Sequence, residues 1–402
     1  MMISTGPLLP DEAEKWFGAM SVPFADDVTP ERLERSKLRH RLDRATAAKD
    51  GDQIVGTFGS FPFVTTVPGG ELPTSGVTAV AVLPTHRRRG ILSRLMTEHL
   101  EVCRDRTEPL ASLWASEPAI YGRFGFGVAA RHFDLKLTVQ PNMFRERRPS
   151  GFEFRLVPTE AALDLLPPMY ERARLRRPGM FARTPQWWGF LLEDPADRRE
   201  GWSSHRRVVA SVGGEDVGYV IFRARWNDQD RQTVRVSEVF GIDDAAEREL
   251  WRFLTEMDLV EEIINWNDPI DRPFDWWLTN PRLAARKTGD ALYLRLVDVE
   301  TALGSRQYGA YGNITVGVTD PTCPWNARTF RLSVTADGPT CETVDADPDV
   351  LVDVAALGSA YLGDVSFLSL ANVGRATGDR ETLSQLSRMF AWDIASFCQE
   401  MF

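Results

Sequence analysis

The residues that most clearly suggest chemistry lie between positions 87 and 93. Arg87, Arg88 and Arg89 stand directly before Gly90, after the apolar, β-branched run at 77–83. Apolar residues then recur every three to four positions, which predicts a helix. A helix N-terminus offers free backbone N–H groups to an anion, and glycine allows close approach. The pattern therefore predicts a pyrophosphate site, while a solvated basic turn is the alternative reading of an isolated RRRG.

A second candidate group follows at 111–129, ASLWASEPAIYGRFGFGVA. Its pattern predicts a strand over 111–115, a short helix after Ser116 and Glu117, and an aromatic-glycine turn that contains Tyr121. A phenol placed beside a leaving group can donate a proton to it. The alternative is a core tyrosine whose hydroxyl bonds a backbone carbonyl.

Together, VTAVAVLPTHRRRGIL, SEPAIYGRFGFG and a chain ending in Phe402 resemble the Eis (enhanced intracellular survival) family of GCN5-related N-acetyltransferases. The resemblance covers the whole chain and implies an acetyl-CoA-dependent acyltransferase. One position departs from the Q/R-x-x-G-x-G/A loop pattern of acyl-CoA sites, because Leu92 stands where that pattern has Gly or Ala. We expect this change to tighten the packing beneath the loop and to leave the phosphate-binding amides in place.

The resemblance also implies roles for individual residues. The acetyl-CoA-binding residues that it implies are Val80, Ala81, Val82, Arg88, Arg89, Gly90, Ile91, Leu92, Ser93, Ser116 and Glu117. Arg87 is the weaker arginine candidate. Tyr121 corresponds to the general acid, and the terminal carboxylate on Phe402 to the general base. Backbone N–H groups of the strand before the loop can bond the pantetheine amides and the thioester carbonyl.

The last residues, AWDIASFCQEMF, are unusually apolar for a chain end. We therefore expect this end to be buried. A free α-carboxyl group has a pKa near 3.3–3.7, and burial raises it, so the group becomes a better base. The alternative is a hydrophobic anchor without a catalytic role, in which case Glu400 is the next candidate base.

Charge and composition exclude several classes of function. The formal net charge is −10, which argues against nonspecific nucleic-acid binding and favours a cationic partner. The acetyltransferase resemblance implies that this partner is a small cationic amine. Residues 1–150 are slightly basic, with 20 basic and 18 acidic groups, so an anionic ligand is expected there. Residues 291–402 are acidic, with 7 basic and 14 acidic groups.

The sequence also argues against a metal-binding site and against a membrane span. The four cysteines show no CxxC spacing and the five histidines no HExxH pair, so no metal site is expected. No apolar run reaches the roughly 18 residues that a membrane span requires. The N-terminus lacks the pattern of a classical signal peptide, so a cytoplasmic location is expected, although family-type export stays open.

The alternating helix and strand patterns predict an α/β (α+β) protein of three domains. Residues 1–150 are expected to form an acetyltransferase domain with the acetyl-CoA site, closed by a strand at 131–139. Residues 151–290 resemble a second, degenerate copy, because the acids of GIDDAAER stand where a phosphate would bind. Residues 291–402 resemble a sterol-carrier-protein-like domain that supplies the terminal carboxylate.

Two functional hypotheses follow. The first is transfer of acetyl from acetyl-CoA to amines; the family resemblance implies aminoglycosides, often at several amines, or protein lysines, and a homohexamer built as a trimer of dimers. The second is a lipid- or partner-binding protein with a vestigial acetyltransferase fold. The intact RRRGIL and SEPAIYGRFG segments oppose the second hypothesis.

Overall fold

The computed structural model describes residues 3–149 and 151–402, which divide into two compact units. The first unit contains residues 3–130, Ala291–Asp393 and Glu400–Phe402. The second unit contains Arg131–Asp290 and Ile394–Gln399. The chain thus leaves the first unit at Arg131, returns to it at Ala291, and leaves it a second time for the short segment Ile394–Gln399.

The N-terminal part of the first unit has the predicted order of strand, basic turn and helix. Its strands are β1 (Ser4–Pro7), β2 (Thr46–Asp50), β3 (Gln53–Val67), β4 (Gly70–Val82), β5 (Leu110–Trp114) and β6 (Gly127–Val128). Its helices are α1 (Ala13–Ser21), α2 (Pro30–Arg39), α3 (Ile91–Asp105) and α4 (Pro118–Tyr121). Leu95, Met96 and Leu100 form the apolar face of α3 and are fully buried, which holds the helix against the sheet.

The second unit repeats the arrangement around its own core. Its strands are β7 (Arg131–Thr138), β8 (Phe152–Leu156), β9 (Arg206–Val212), β10 (Glu215–Trp226), β11 (Gln232–Gly241), β12 (Val260–Pro269) and β13 (Ala284–Asp290). Its helices are α5 (Thr159–Arg174), α6 (Pro185–Leu192), α7 (Asp244–Thr255) and α8 (Phe274–Trp277). In both units a long strand is followed by a helix and then by a strand parallel to the first, β4–α3–β5 and β11–α7–β12.

The returning chain completes the first unit. Its strands are β14 (Leu292–Leu296), β15 (Gly312–Thr319), β16 (Thr329–Thr335), β17 (Gly338–Val344), β18 (Val350–Asp353) and β19 (Ala376–Gly378). Its helices are α9 (Val299–Gly304), α10 (Val354–Ala360), α11 (Phe367–Asn372) and α12 (Arg380–Phe390). Strands β15–β19 form a sheet of order β17-β16-β15-β18-β19, which together with α9–α12 is called the C-terminal subdomain below.

Strand order corrects one prediction. The first sheet has the order β1-β2-β3-β4-β5-β14-β6, and the second has the order β13-β7-β12-β11-β10-β9-β8. The prediction that the strand at 131–139 closes the first sheet is therefore wrong, because β7 pairs with β12 and β13. All five residues of β14 are buried, which suits its place between β5 and β6, whereas β7 keeps several exposed side chains.

The helices of both units lack membrane-spanning character in the part of the chain that the structure describes. Over residues 3–149 and 151–402, none of them combines the length and the apolar composition that crossing a bilayer requires.

Candidate active site

The site begins where two parallel strands separate. β4 pairs with β5 only from Thr74 to Gly76, and in the described part of the chain this ladder extends no further. Ala79 then interrupts the β3–β4 ladder as a bulge, with a left-handed φ of 54°. The buried Thr57 fixes the bulge, because its hydroxyl donates to the Ala79 carbonyl at 2.7 Å. A bulge bends its strand, so the segment Val80–Val82 presents one backbone edge to the opening.

The basic turn joins this edge to an uncapped helix. Arg88 and Gly90 both adopt left-handed backbone conformations, with φ of 63° and 75°. Gly90 is the N-cap of α3, and within residues 3–149 and 151–402 the first turn of this helix has no side-chain capping hydrogen bond. A Cβ on Gly90 would meet nothing within 4 Å, so the backbone angle rather than packing calls for glycine here. The first N–H groups of α3 are thus available to a ligand.

A cavity of about 430 Å³ connects the strand edge, the turn and α4. The predicted residues that line it are Val80, Ala81, Val82, Arg88, Gly90, Ile91, Leu92, Ser93, Ser116, Glu117 and Tyr121. Arg89 is placed differently, because its guanidinium donates to the Thr85 carbonyl at 3.4 Å and does not line the cavity. The structure therefore brings the two sequence motifs into one site.

Six residues outside the predicted set also line the cavity. They are Pro23, Phe24, His86, Arg87, Ile120 and Arg123. Arg87, the weaker arginine candidate, thus lies at the site, as does Arg123 from the same motif as Tyr121. Over residues 3–149 and 151–402, neither Arg87 nor Arg88 forms an ion pair, so their charge is available to an anion. The same ranges hold no group of three or more His, Cys, Asp or Glu side chains that could bind a metal ion.

Tyr121 is held at the cavity by packing and by its backbone. It is the last residue of α4, only 8% exposed, and its ring packs edge-on against Phe126 with centroids 6.3 Å apart. Within the described ranges its hydroxyl forms no hydrogen bond, unlike a tyrosine bonded to a carbonyl in a core. Burial raises the pKa of this phenol above its ordinary value, and the nearby charge of Glu117 raises it further. Tyr121 therefore keeps its proton at neutral pH and can donate it.

Phe402 lies beside β4 rather than in the cavity wall. Its ring packs against Phe63 with centroids 4.9 Å apart, and edge-on to Phe61 at 6.4 Å. A Cβ on Gly76 would come within 3.1 Å of the Phe402 ring, which places that ring at the point where β4 and β5 separate. The predicted burial of the chain end is confirmed for Phe397, Cys398 and Glu400, whereas Phe402 is half-buried and Met401 exposed.

The second unit has a helix at the position that α3 holds in the first, but its N-terminus is closed. The carboxylate of Asp243 accepts a hydrogen bond from the Ala246 amide at 2.8 Å and so caps α7. Asp244 adds a second negative charge in the first turn. A phosphate there would be repelled and would find the amide already bonded. The sequence-based expectation that this second copy is degenerate stays a prediction.

The chain matches three known domain families, one after another along its length. Residues 6–129 match an acetyltransferase (GNAT) domain, residues 179–296 match a second acetyltransferase (GNAT) domain, and residues 299–399 match a sterol carrier protein domain. The fold and the site thus define an N-acetyltransferase with two GNAT domains and a sterol-carrier-like domain, and the predicted fold class is confirmed.

Proteins that are similar to this chain over nearly its whole length show which acetyltransferase family it belongs to. The chain is 39% identical over 398 residues to an uncharacterized N-acetyltransferase of Streptomyces coelicolor, covering 96% of each. It is 32% identical over 401 residues to N-acetyltransferase Eis of Mycobacterium tuberculosis, again covering 96% of each. The crystal structure of Eis1 from Mycobacterium abscessus matches with a TM-score of 0.87 and 31% identity over 100% of both chains. The chain therefore belongs to the Eis-like GCN5-related N-acetyltransferases, as its motifs predicted.

Proposed function

We propose that the cavity of the first unit binds acetyl-CoA and that the protein transfers the acetyl group to an amine of a polycationic acceptor. The observation that carries this proposal is the uncapped N-terminus of α3, which lies behind a basic turn at the end of a strand with an open edge. An anion with several phosphate oxygens fits the helix amides, and a molecule with amide groups fits the strand edge.

The binding roles divide along the cavity. The backbone N–H groups from Gly90 to Ser93 would hold the pyrophosphate, while the Arg87 and Arg88 guanidinium groups would neutralise it. The backbone edge of Val80–Val82 would bond the pantetheine amides and the thioester carbonyl. N–H groups directed at that carbonyl oxygen would also stabilise the negative charge that develops on it during attack.

The chemistry requires two proton transfers. A neutral amine attacks the thioester carbonyl carbon, a C–N bond forms, and the C–S bond breaks to release a thiolate. In this proposal the Tyr121 hydroxyl protonates the departing sulfur, which suits a phenol that stays protonated and forms no hydrogen bond within the described part of the chain. In a chain that ends at Phe402, the α-carboxylate would accept the proton that the substrate ammonium must lose.

An aminoglycoside or a protein lysine is the proposed acceptor. Both carry amines that are cationic at neutral pH. The net charge of −10 favours their approach to the protein, while the basic turn keeps cations away from the phosphate subsite. The relatives named Eis support the same class of acetyltransferase.

The acetyl-CoA site gives a direct binding prediction. Titration calorimetry with acetyl-CoA should give one site per chain, since α3 is open and α7 is capped. Gly90→Asp should abolish binding, because it strains a left-handed backbone position and sets a carboxylate against the phosphates. Arg87→Ala should weaken binding only a few-fold, since one exposed charge contributes about 0.2–1 kcal/mol.

Gly213→Asp is the matched control for Gly90→Asp. Gly213 also has a left-handed φ, of 59°, and a Cβ there would meet nothing within 4 Å, but it lies in a turn of the second unit. The control should bind acetyl-CoA like the wild type. Two sites per chain, or undiminished binding by Gly90→Asp, would contradict the assignment.

A further inference from the structure

The turn that follows Tyr121 is packed directly against the C-terminal subdomain. Gly125 has a φ of 84°, and a Cβ on it would come within 2.7 Å of the Val354 side chain and would overlap the Arg295 guanidinium. A Cβ on Gly127 would overlap the carbonyl oxygen of Ala355. The glycines of the FGFG segment are thus required because α10 and Arg295 occupy the space beside them.

Arg295 joins this turn to the subdomain. It lies on β14 and is fully buried, and its Nη1 donates to the Phe124 carbonyl at 2.5 Å. Its Nη2 contacts both carboxylate oxygens of Asp320, at 2.9 and 2.7 Å. Asp320 is fixed in turn, since it accepts from the Cys323 amide at 2.9 Å and from the Asn326 side chain at 3.1 Å. A continuous set of buried bonds therefore runs from the subdomain loop to the residue three positions after Tyr121.

We infer that Arg295 and Asp320 are positioning residues for Tyr121, and that the C-terminal subdomain takes part in acetyl transfer by fixing the turn that carries the proton donor. Within the described ranges the Tyr121 hydroxyl has no hydrogen bond that would orient it. Its position depends on the backbone around it, where Gly125 bonds Gly122 at 3.0 Å. The inference rests on the proposed role of Tyr121 as the general acid.

The variants must separate positioning from folding. Asp320→Asn keeps the shape of the side chain but leaves a buried guanidinium without its counter-charge, which destabilises the fold. Arg295→Lys keeps the charge pair with Asp320 but loses the planar fork that also reaches the Phe124 carbonyl. It is the second variant if Asp320→Asn does not fold.

Arg306→Met is the matched control. Arg306 is also fully buried in the first unit, but it donates to the carbonyls of Tyr361 and Phe390 and not to the turn after Tyr121. It tests whether loss of any buried arginine in this part of the chain produces the same kinetic effect.

The experiment is a double-mutant cycle with Tyr121→Phe, measured on the full chain at saturating acetyl-CoA and a saturating kanamycin-like aminoglycoside. We expect Asp320→Asn and Arg295→Lys to lower kcat by about 10- to 100-fold in the wild-type background, since a misplaced group of this kind costs up to about 10²-fold. In the Tyr121→Phe background, the same changes should lower kcat less than about threefold, because the positioned proton donor is already gone. The KM for acetyl-CoA should stay within a few-fold of wild type, and Arg306→Met should have the same effect in both backgrounds.

The outcomes distinguish the inference from the proposed function. If Tyr121→Phe lowers kcat but Asp320→Asn and Arg295→Lys lower it by equal factors in both backgrounds, the two residues are only structural and the inference is overturned. If Tyr121→Phe leaves kcat unchanged, the general-acid assignment itself fails, and the inference fails with it.

Discussion

The Tyr121→Phe variant is expected to fold and to bind acetyl-CoA like the wild type while its kcat falls by about 10²–10⁴-fold. The phenylalanine ring keeps the packing against Phe126. Because the hydroxyl forms no hydrogen bond over residues 3–149 and 151–402, its removal leaves no buried partner unsatisfied. Only the proton donor is lost. Steady-state kinetics, a melting temperature and an acetyl-CoA titration on the same preparation provide the measurement.

The pH dependence gives this prediction a second readout. Burial and the charge of Glu117 raise the pKa of Tyr121. The donor is active while protonated, so its loss should appear as an alkaline limb of kcat above the ordinary tyrosine pKa of about 10. The Tyr121→Phe variant should lack that limb. Activity within a few-fold of wild type would refute the general-acid role, and a marked fall in melting temperature would favour a structural one.

Extension of the chain by a few residues beyond Phe402 is expected to have a comparably large effect. The extension converts the α-carboxylate into an amide, which cannot accept a proton, and it displaces the end from β4. We expect kcat to fall by about 10²-fold or more. Acetyl-CoA binding should persist, because Phe402 does not line the cavity that the basic turn borders. The measurement compares kcat and the acetyl-CoA affinity of the extended and unextended chains.

The matched control carries the same added residues at the N-terminus, and it should turn over normally. Normal turnover by the C-terminally extended protein would show that the base lies elsewhere. Glu400, which is 3% exposed, would then be the next candidate, and Glu400→Gln the next variant.

The local parts of the site could be predicted from the sequence because their signals are local. The apolar run before Pro84, the arginines before Gly90 and the helical period after it specify strand, turn and helix within about 30 residues, and the structure has all three. The two acids in the corresponding turn of the second unit are also a local signal, because they predict that no phosphate binds there. In the structure Asp243 caps α7.

Long-range pairings could not be read in the same way. Strands β7 and β14 each lie just after the chain passes from one unit to the other, and only tertiary contacts decide which sheet each strand joins. Arg295 interrupts the apolar strand LYLRL, and nothing nearby in sequence identifies Asp320 as its partner. The bulge at Ala79 depends on Thr57 in the neighbouring strand. The acceptor, the site roles and the assembly as a trimer of dimers stay predictions.

Acetyl transfer to an amine can be measured as thiol release from acetyl-CoA on addition of a kanamycin-like aminoglycoside or a lysine peptide, with the acetylated product identified by mass. We expect thiol release that requires the amine, matches the amide formed in amount, and disappears in Gly90→Asp but not in Gly213→Asp. A protein that binds acetyl-CoA yet releases no thiol with either amine, while a hydrophobic ligand is extracted from it, would instead be a binding protein and not an acetyltransferase for these amines.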